Sequence, residues 1–74
     1  MEYNYSKLLG KIAEVFGTQS NFANAMGMSE RTLSLKLNCI RYFKQPEIEK
    51  AVQLLKIPIE EIAIYFFNQN VQKS

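Results

Sequence analysis

One cysteine, Cys39, and no histidine in a chain of 74 residues remove two devices that commonly hold a very small domain together. A domain of this size buries only about 60% of the surface its unfolded chain exposes. Its core supplies roughly 3–5 kcal/mol net. A single thiol excludes an internal disulfide, and without imidazole no zinc site of nitrogen and sulfur ligands is expected. What remains is close packing, within one chain or across subunits. The chain has the material for it: 47% hydrophobic residues against 22% charged, with three Gly and two Pro, which argues against disorder. The length fits one domain.

The same inventory narrows the function. Without histidine, nucleophile–base chemistry falls to Ser, Thr, Lys or carboxylates, and no glycine-rich phosphate loop is present. No catalytic residue, cofactor, metal or small-molecule ligand is expected. The longest apolar stretch, Ile62 to Phe67, is far below the ~18 residues of a membrane span. With no leader segment read at the start and one lone thiol, the expected compartment is the cytoplasm. The net charge of +2 is unevenly spread: residues 31–46 hold Arg31, Lys36, Arg41 and Lys44 and no acid, whereas residues 47–61 hold four Glu against two Lys. The mid-chain cations form either a solvated loop or a phosphate-facing stripe.

Punctuation divides the chain into five short helical segments and no strand. Ser6 to Phe16 places Leu8, Leu9, Ile12, Val15 and Phe16 on one face, with Asn4 or Ser6 as cap and Gly17 as stop. Thr18 caps Gln19 to Met26, whose inward residues are Phe22, Ala23 and Met26, and Gly27 ends it. Ser29 caps Glu30 to about Asn38, with Leu33 and Leu37 four apart. A basic, aromatic connector follows. Pro46 opens a fourth helix with Glu47 and Glu49 at its positive end, and Ile48, Ala51, Val52 and Leu55 as its buried stripe. Pro58 breaks away from it and opens a fifth helix to about Phe67, with Ile59, Ile62, Ala63 and Phe66 inward. Glu60 and Glu61 on its first turn are partners of the helix dipole, not a catalytic pair. Residues 68–74 read as a polar tail beyond a domain of residues 1–67.

The second and third segments are joined by only Gly27, Met28 and Ser29. A small Ala23 and the apolar Met28 and Leu33 suit two helices crossing steeply over a small core. On Thr18-Gln19, Phe22-Ala23, Gly27-Met28-Ser29 and Leu33, with Pro46 through Leu55 and Ile57 through Ile62 downstream, the chain resembles the lambda-repressor-like helix-turn-helix family. More narrowly it is similar to short Cro-like regulators of temperate phages of Gram-positive bacteria. One departure stands out: where that family often carries an apolar residue three places after the position of Leu33, this chain has Lys36.

The resemblance implies a compact, all-α, five-helix DNA-binding domain with its third helix in the major groove. Base edges would be met by Ser29, Glu30, Arg31, Ser34 and Leu35, with Arg31 on guanine. Leu35 is either a thymine contact or core. Thr18, Gln19, Asn21, Lys36, Asn38, Arg41, Tyr42 and Lys44 would hold phosphates, with Lys36 running along the surface to reach one. The main role of Thr18 is capping. Ile64, Tyr65 and Phe67 fall off the inward stripe of the fifth helix and either pack inside or form a two-fold interface. The expected function is a sequence-specific transcriptional regulator, a Cro-type phage repressor acting as a homodimer on a palindromic double-stranded operator. The alternative is an anti-repressor or other protein-binding module that keeps the fold and acts on another regulator.

Overall fold

The computed structural model describes residues 3–69. Five α-helices follow in order: α1 (Ser6–Phe16), α2 (Gln19–Met26), α3 (Glu30–Leu37), α4 (Gln45–Leu55) and α5 (Ile62–Phe66), the last preceded by a 3-10 turn at Ile59–Glu61. No strand occurs among the described residues, only an isolated antiparallel bridge between Tyr3 and Gln69. The all-helical class is thus as expected.

Local signals set the helix ends. The Thr18 hydroxyl accepts from the Asn21 N–H at 3.1 Å, and the Ser29 hydroxyl from the Thr32 N–H at 3.0 Å. Each satisfies a first-turn donor that the helix itself cannot pair. The Asn4 carboxamide accepts from the Ser6 N–H at 2.9 Å at the start of α1. Gly27 ends α2 in the left-handed region, φ 77°, and lets α3 leave sharply. A Cβ at Gly27 would meet nothing closer than Lys50 Nζ at 3.7 Å, and one at Gly10, inside α1, would meet nothing within 4 Å. Two glycine substitutions therefore differ in sign. Gly27→Ala is expected to cost about 1–2 kcal/mol through the left-handed backbone alone. Gly10→Ala is expected to add about 1 kcal/mol through helix propensity. Urea unfolding midpoints of the two variants check this.

The core gathers Leu8 and Ile12 from α1, Phe22 from α2, Leu33 from α3, Leu55 from α4 and Phe66 from α5, all fully or almost fully buried. Helix α1 packs on α2, α4 and α5, and α2 also packs on α3 and α4. Two expected faces are narrower than the spacing implied. Leu9 and Val15 of α1 turn outward, and its fully buried face narrows to Leu8 and Ile12, joined in the core by Tyr5 just before the helix. Ile59, assigned to the inward stripe of the fifth helix, is 82% exposed, and Ala63 is exposed too. The 3-10 turn winds more tightly than an α-helix, so Ile59 does not share a face with Phe66.

The two ends of the described chain meet. The Asn4 N–H donates to the Asn68 carbonyl beside the Tyr3–Gln69 bridge, so residues 68 and 69 of the expected tail are paired. The rest of that tail lies outside the described residues.

Candidate functional site

The basic stretch noted in the sequence becomes the outer face of α3 and the connector that follows it. Helical periodicity sets Arg31, Ser34, Leu35 and Asn38 along one face of α3. Glu30 and Arg31 are exposed, while Ser34 and Leu35 are half-buried. Ser29 is occupied in capping and also donates to the Thr32 hydroxyl at 2.9 Å. Asn38 folds its carboxamide back onto the Ser34 carbonyl at 2.8 Å. At the other helix start, Thr18 caps and Gln19 is exposed. Asn21 donates to the Phe16 carbonyl at 2.9 Å, joining the end of α1 to the start of α2.

Lys36 does not run along the surface to a phosphate. It is 4% exposed. Its ammonium donates to Glu47 Oε1 at 2.8 Å and to the Tyr42 carbonyl at 3.0 Å, and lies 6.0 Å from the centre of the Phe43 ring. The position where the resembled family often places an apolar side chain thus holds a buried charge, neutralised by the first turn of α4. The same Glu47 oxygen accepts from the Lys44 N–H at 2.9 Å. Burial pushes the Glu47 carboxyl up, but the hydrogen bonds from Lys36 and from the Lys44 backbone, with the charges of both lysines, outweigh it. The net result holds the carboxyl below its ordinary value of 4.5.

The connector is folded back on α3. The N–H groups of Ile40 and Arg41 both donate to the Leu35 carbonyl, at 2.9 and 3.2 Å. Arg41, Tyr42 and Lys44 are exposed. Among the described residues the ion pairs are Lys11–Glu14 and Lys36–Glu47, so Arg31, Arg41 and Lys44 carry unpaired charge there. Beneath, the Phe43 ring stands edge-on to Tyr5 at 5.5 Å and to Phe66 at 5.6 Å. Burial, with smaller contributions from Cys39 and Tyr3, pushes the Tyr5 hydroxyl up to about 12. The aromatic bundle under the connector escaped sequence reasoning, which marked the connector as basic and aromatic but could not supply the partners of Phe43 from both ends of the chain.

The residues expected at a two-fold interface are scattered in environment. Ile64 is exposed. Tyr65 is half-buried with Lys11 Nζ 5.9 Å from its ring centre. Phe67 is half-exposed and meets Tyr3 edge-on at 6.1 Å. Among the described residues, no three His, Cys, Asp or Glu side chains gather as a metal site would require. No helix there is long and apolar enough to cross a membrane.

A family model described as "Protein of unknown function (DUF739)" matches residues 1–69. The chain is similar to a solved structure, the modulator of repression of the temperate bacteriophage TP901-1 from Lactococcus lactis. Identity is 57%, the alignment covers 97% of each chain, and the TM-score is 0.80. No curated protein matches the chain. These findings overturn the expected membership of the lambda-repressor-like family. They overturn with it the Cro-type, operator-binding repressor and operator DNA as the partner. The physical reason is that caps, glycine stops and apolar spacing specify how short helices pack. They leave open what the outward side chains bind.

Proposed function

The chain belongs to the DUF739 family of proteins of unknown function, and we propose that it is a phage modulator of repression that acts by binding a repressor protein. The observation that carries this is the 57% identity to the modulator of bacteriophage TP901-1 across 97% of both chains. We read α2, the Gly27–Ser29 turn and α3 as a helix-turn-helix pair kept as a rigid frame. This frame holds the outward side chains that serve protein recognition in place of base recognition. The action requires no catalysis or cofactor and takes place in the cytoplasm, where a phage repressor works.

The test mixes the purified chain with the purified repressor of its phage and, separately, with that repressor's operator fragment. Calorimetry is expected to show a saturable protein–protein complex. The chain alone is expected to leave the operator fragment unshifted in a gel. A chain that gave no complex with the repressor, yet shifted the operator with a steep salt dependence, would show the proposal to be wrong.

A further inference from the structure

The connector between α3 and α4 is fixed from beneath yet carries large apolar side chains on its outside. Cys39 takes a left-handed φ of 63°, and its thiol donates to the Tyr3 carbonyl at 3.3 Å. The Leu35 carbonyl holds the N–H groups of Ile40 and Arg41. Lys36 holds the Tyr42 carbonyl, and Phe43 is wedged between Tyr5 and Phe66. On this anchored backbone Ile40 is 69% and Tyr42 68% exposed, and neither packs against the core. Arg41 stands between them in sequence, and exposed Lys44 follows.

Single exposed apolar residues are ordinary. Two of them flanking an arginine on a backbone with little freedom left to lose are a different matter. Tyr and Arg are enriched among residues that dominate binding energy, and prior ordering of a loop lowers the cost of docking it. The charge narrows the partner. No acid occurs between residues 31 and 46, and Arg41 and Lys44 make no ion pair among the described residues.

We propose that this connector is the edge by which the chain docks on an acidic protein surface, with Ile40 and Tyr42 seated in an apolar depression and Arg41 paired to a carboxylate at its rim. The proposal rests on the reading of the chain as a repressor-binding modulator and adds the face that does the binding. Charge complementarity sets what the repressor must offer: carboxylates around an apolar patch.

The purified repressor is titrated into the wild-type chain and into Arg41→Glu, Tyr42→Ser and Ile59→Ser, each variant first checked for an unchanged helical spectrum and melting point. All three side chains are exposed, so folding is expected to survive. Arg41→Glu and Tyr42→Ser are each expected to weaken binding by about tenfold or more, and Ile59→Ser to leave it unchanged. Wild-type affinity is expected to fall as salt rises. Full affinity in both connector variants, with the wild type binding normally, would overturn the docking edge and leave repressor binding standing. Loss of binding in Ile59→Ser alone would move the contact to the 3-10 turn and overturn it equally. A wild-type chain that bound no repressor would remove the docking edge together with the function it rests on.

Discussion

Phe66→Ala is expected to cost about 4 kcal/mol, within the range for emptying a buried phenylalanine site. That is most of the roughly 3–5 kcal/mol available to a core of this size. Phe66 is 2% exposed and stands perpendicular to Phe43, which stands nearly perpendicular to Tyr5. Its removal leaves a cavity and breaks the chain of edge-on rings. Helix α5 has five residues, far too few to persist without tertiary contacts, so this side chain is its principal reason to be helical. Circular dichroism at 25 °C is expected to show a largely unfolded population. Phe67→Ala, at a half-exposed neighbour, is expected to unfold near the wild-type urea midpoint. Equal midpoints for the two variants would contradict the assignment of Phe66 to the core.

The second large effect separates the two partners of one ion pair. Glu47→Ala is expected to cost about 3 kcal/mol, because it strands the Lys36 ammonium in the interior. It also removes the acceptor for the Lys44 N–H. The figure sits at the low end for a buried pair because a quarter of the Glu47 side chain reaches solvent. Lys36→Met is expected to cost less than about 1 kcal/mol. It replaces the buried charge with an apolar chain of similar length, and Glu47 can keep its bond to the Lys44 backbone while turning to water. The asymmetry, read from urea midpoints, is the signature of a buried cation. Two equal losses would indicate an ordinary surface pair. The same pair sets an acid limit. The folded Glu47 carboxyl titrates below its ordinary value of 4.5. Its contribution is therefore complete above that pH and is lost as pH falls through the lower, folded value. The Lys36→Met variant is expected to show a shallower acid loss than the wild type.

Much of the architecture was legible in the chain. Thr18 and Ser29 cap the helices they precede, Gly27 stops α2, and Phe22, Ala23, Met26, Leu33 and Leu37 face inward. These are local effects, in which a hydroxyl, a missing Cβ or a three-four spacing acts within a few residues. What escaped depends on partners distant in sequence. Lys36 looks like surface until Glu47, eleven residues on, is brought beside it. Ile59 sits at an α-helical spacing from Ile62 and Phe66, and only the tighter turn takes it out of line. The connector's role needed Tyr3, Tyr5 and Phe66 in place under Cys39 and Phe43. Function was the least legible. The helix packing suits a DNA reader and a protein binder alike, and exposed side chains such as Ile40 and Tyr42 are not fixed by the packing that the spacing encodes.

The bridge from Tyr3 to Gln69 closes a loop containing nearly every described residue. The entropy of closing a loop grows with its length, although slowly. A contact this remote gains little until the helices between have already drawn the ends together. The clasp is therefore among the last parts of the structure to form. The connector leans on the same elements: Tyr3 accepts from Cys39, and Tyr5 and Phe66 flank Phe43. Without Phe66 in place, α1 to α4 can be wound while the connector still lacks part of its underside. The underside of the connector is thus assembled from the two ends of the described chain, and it is complete only when both are in place.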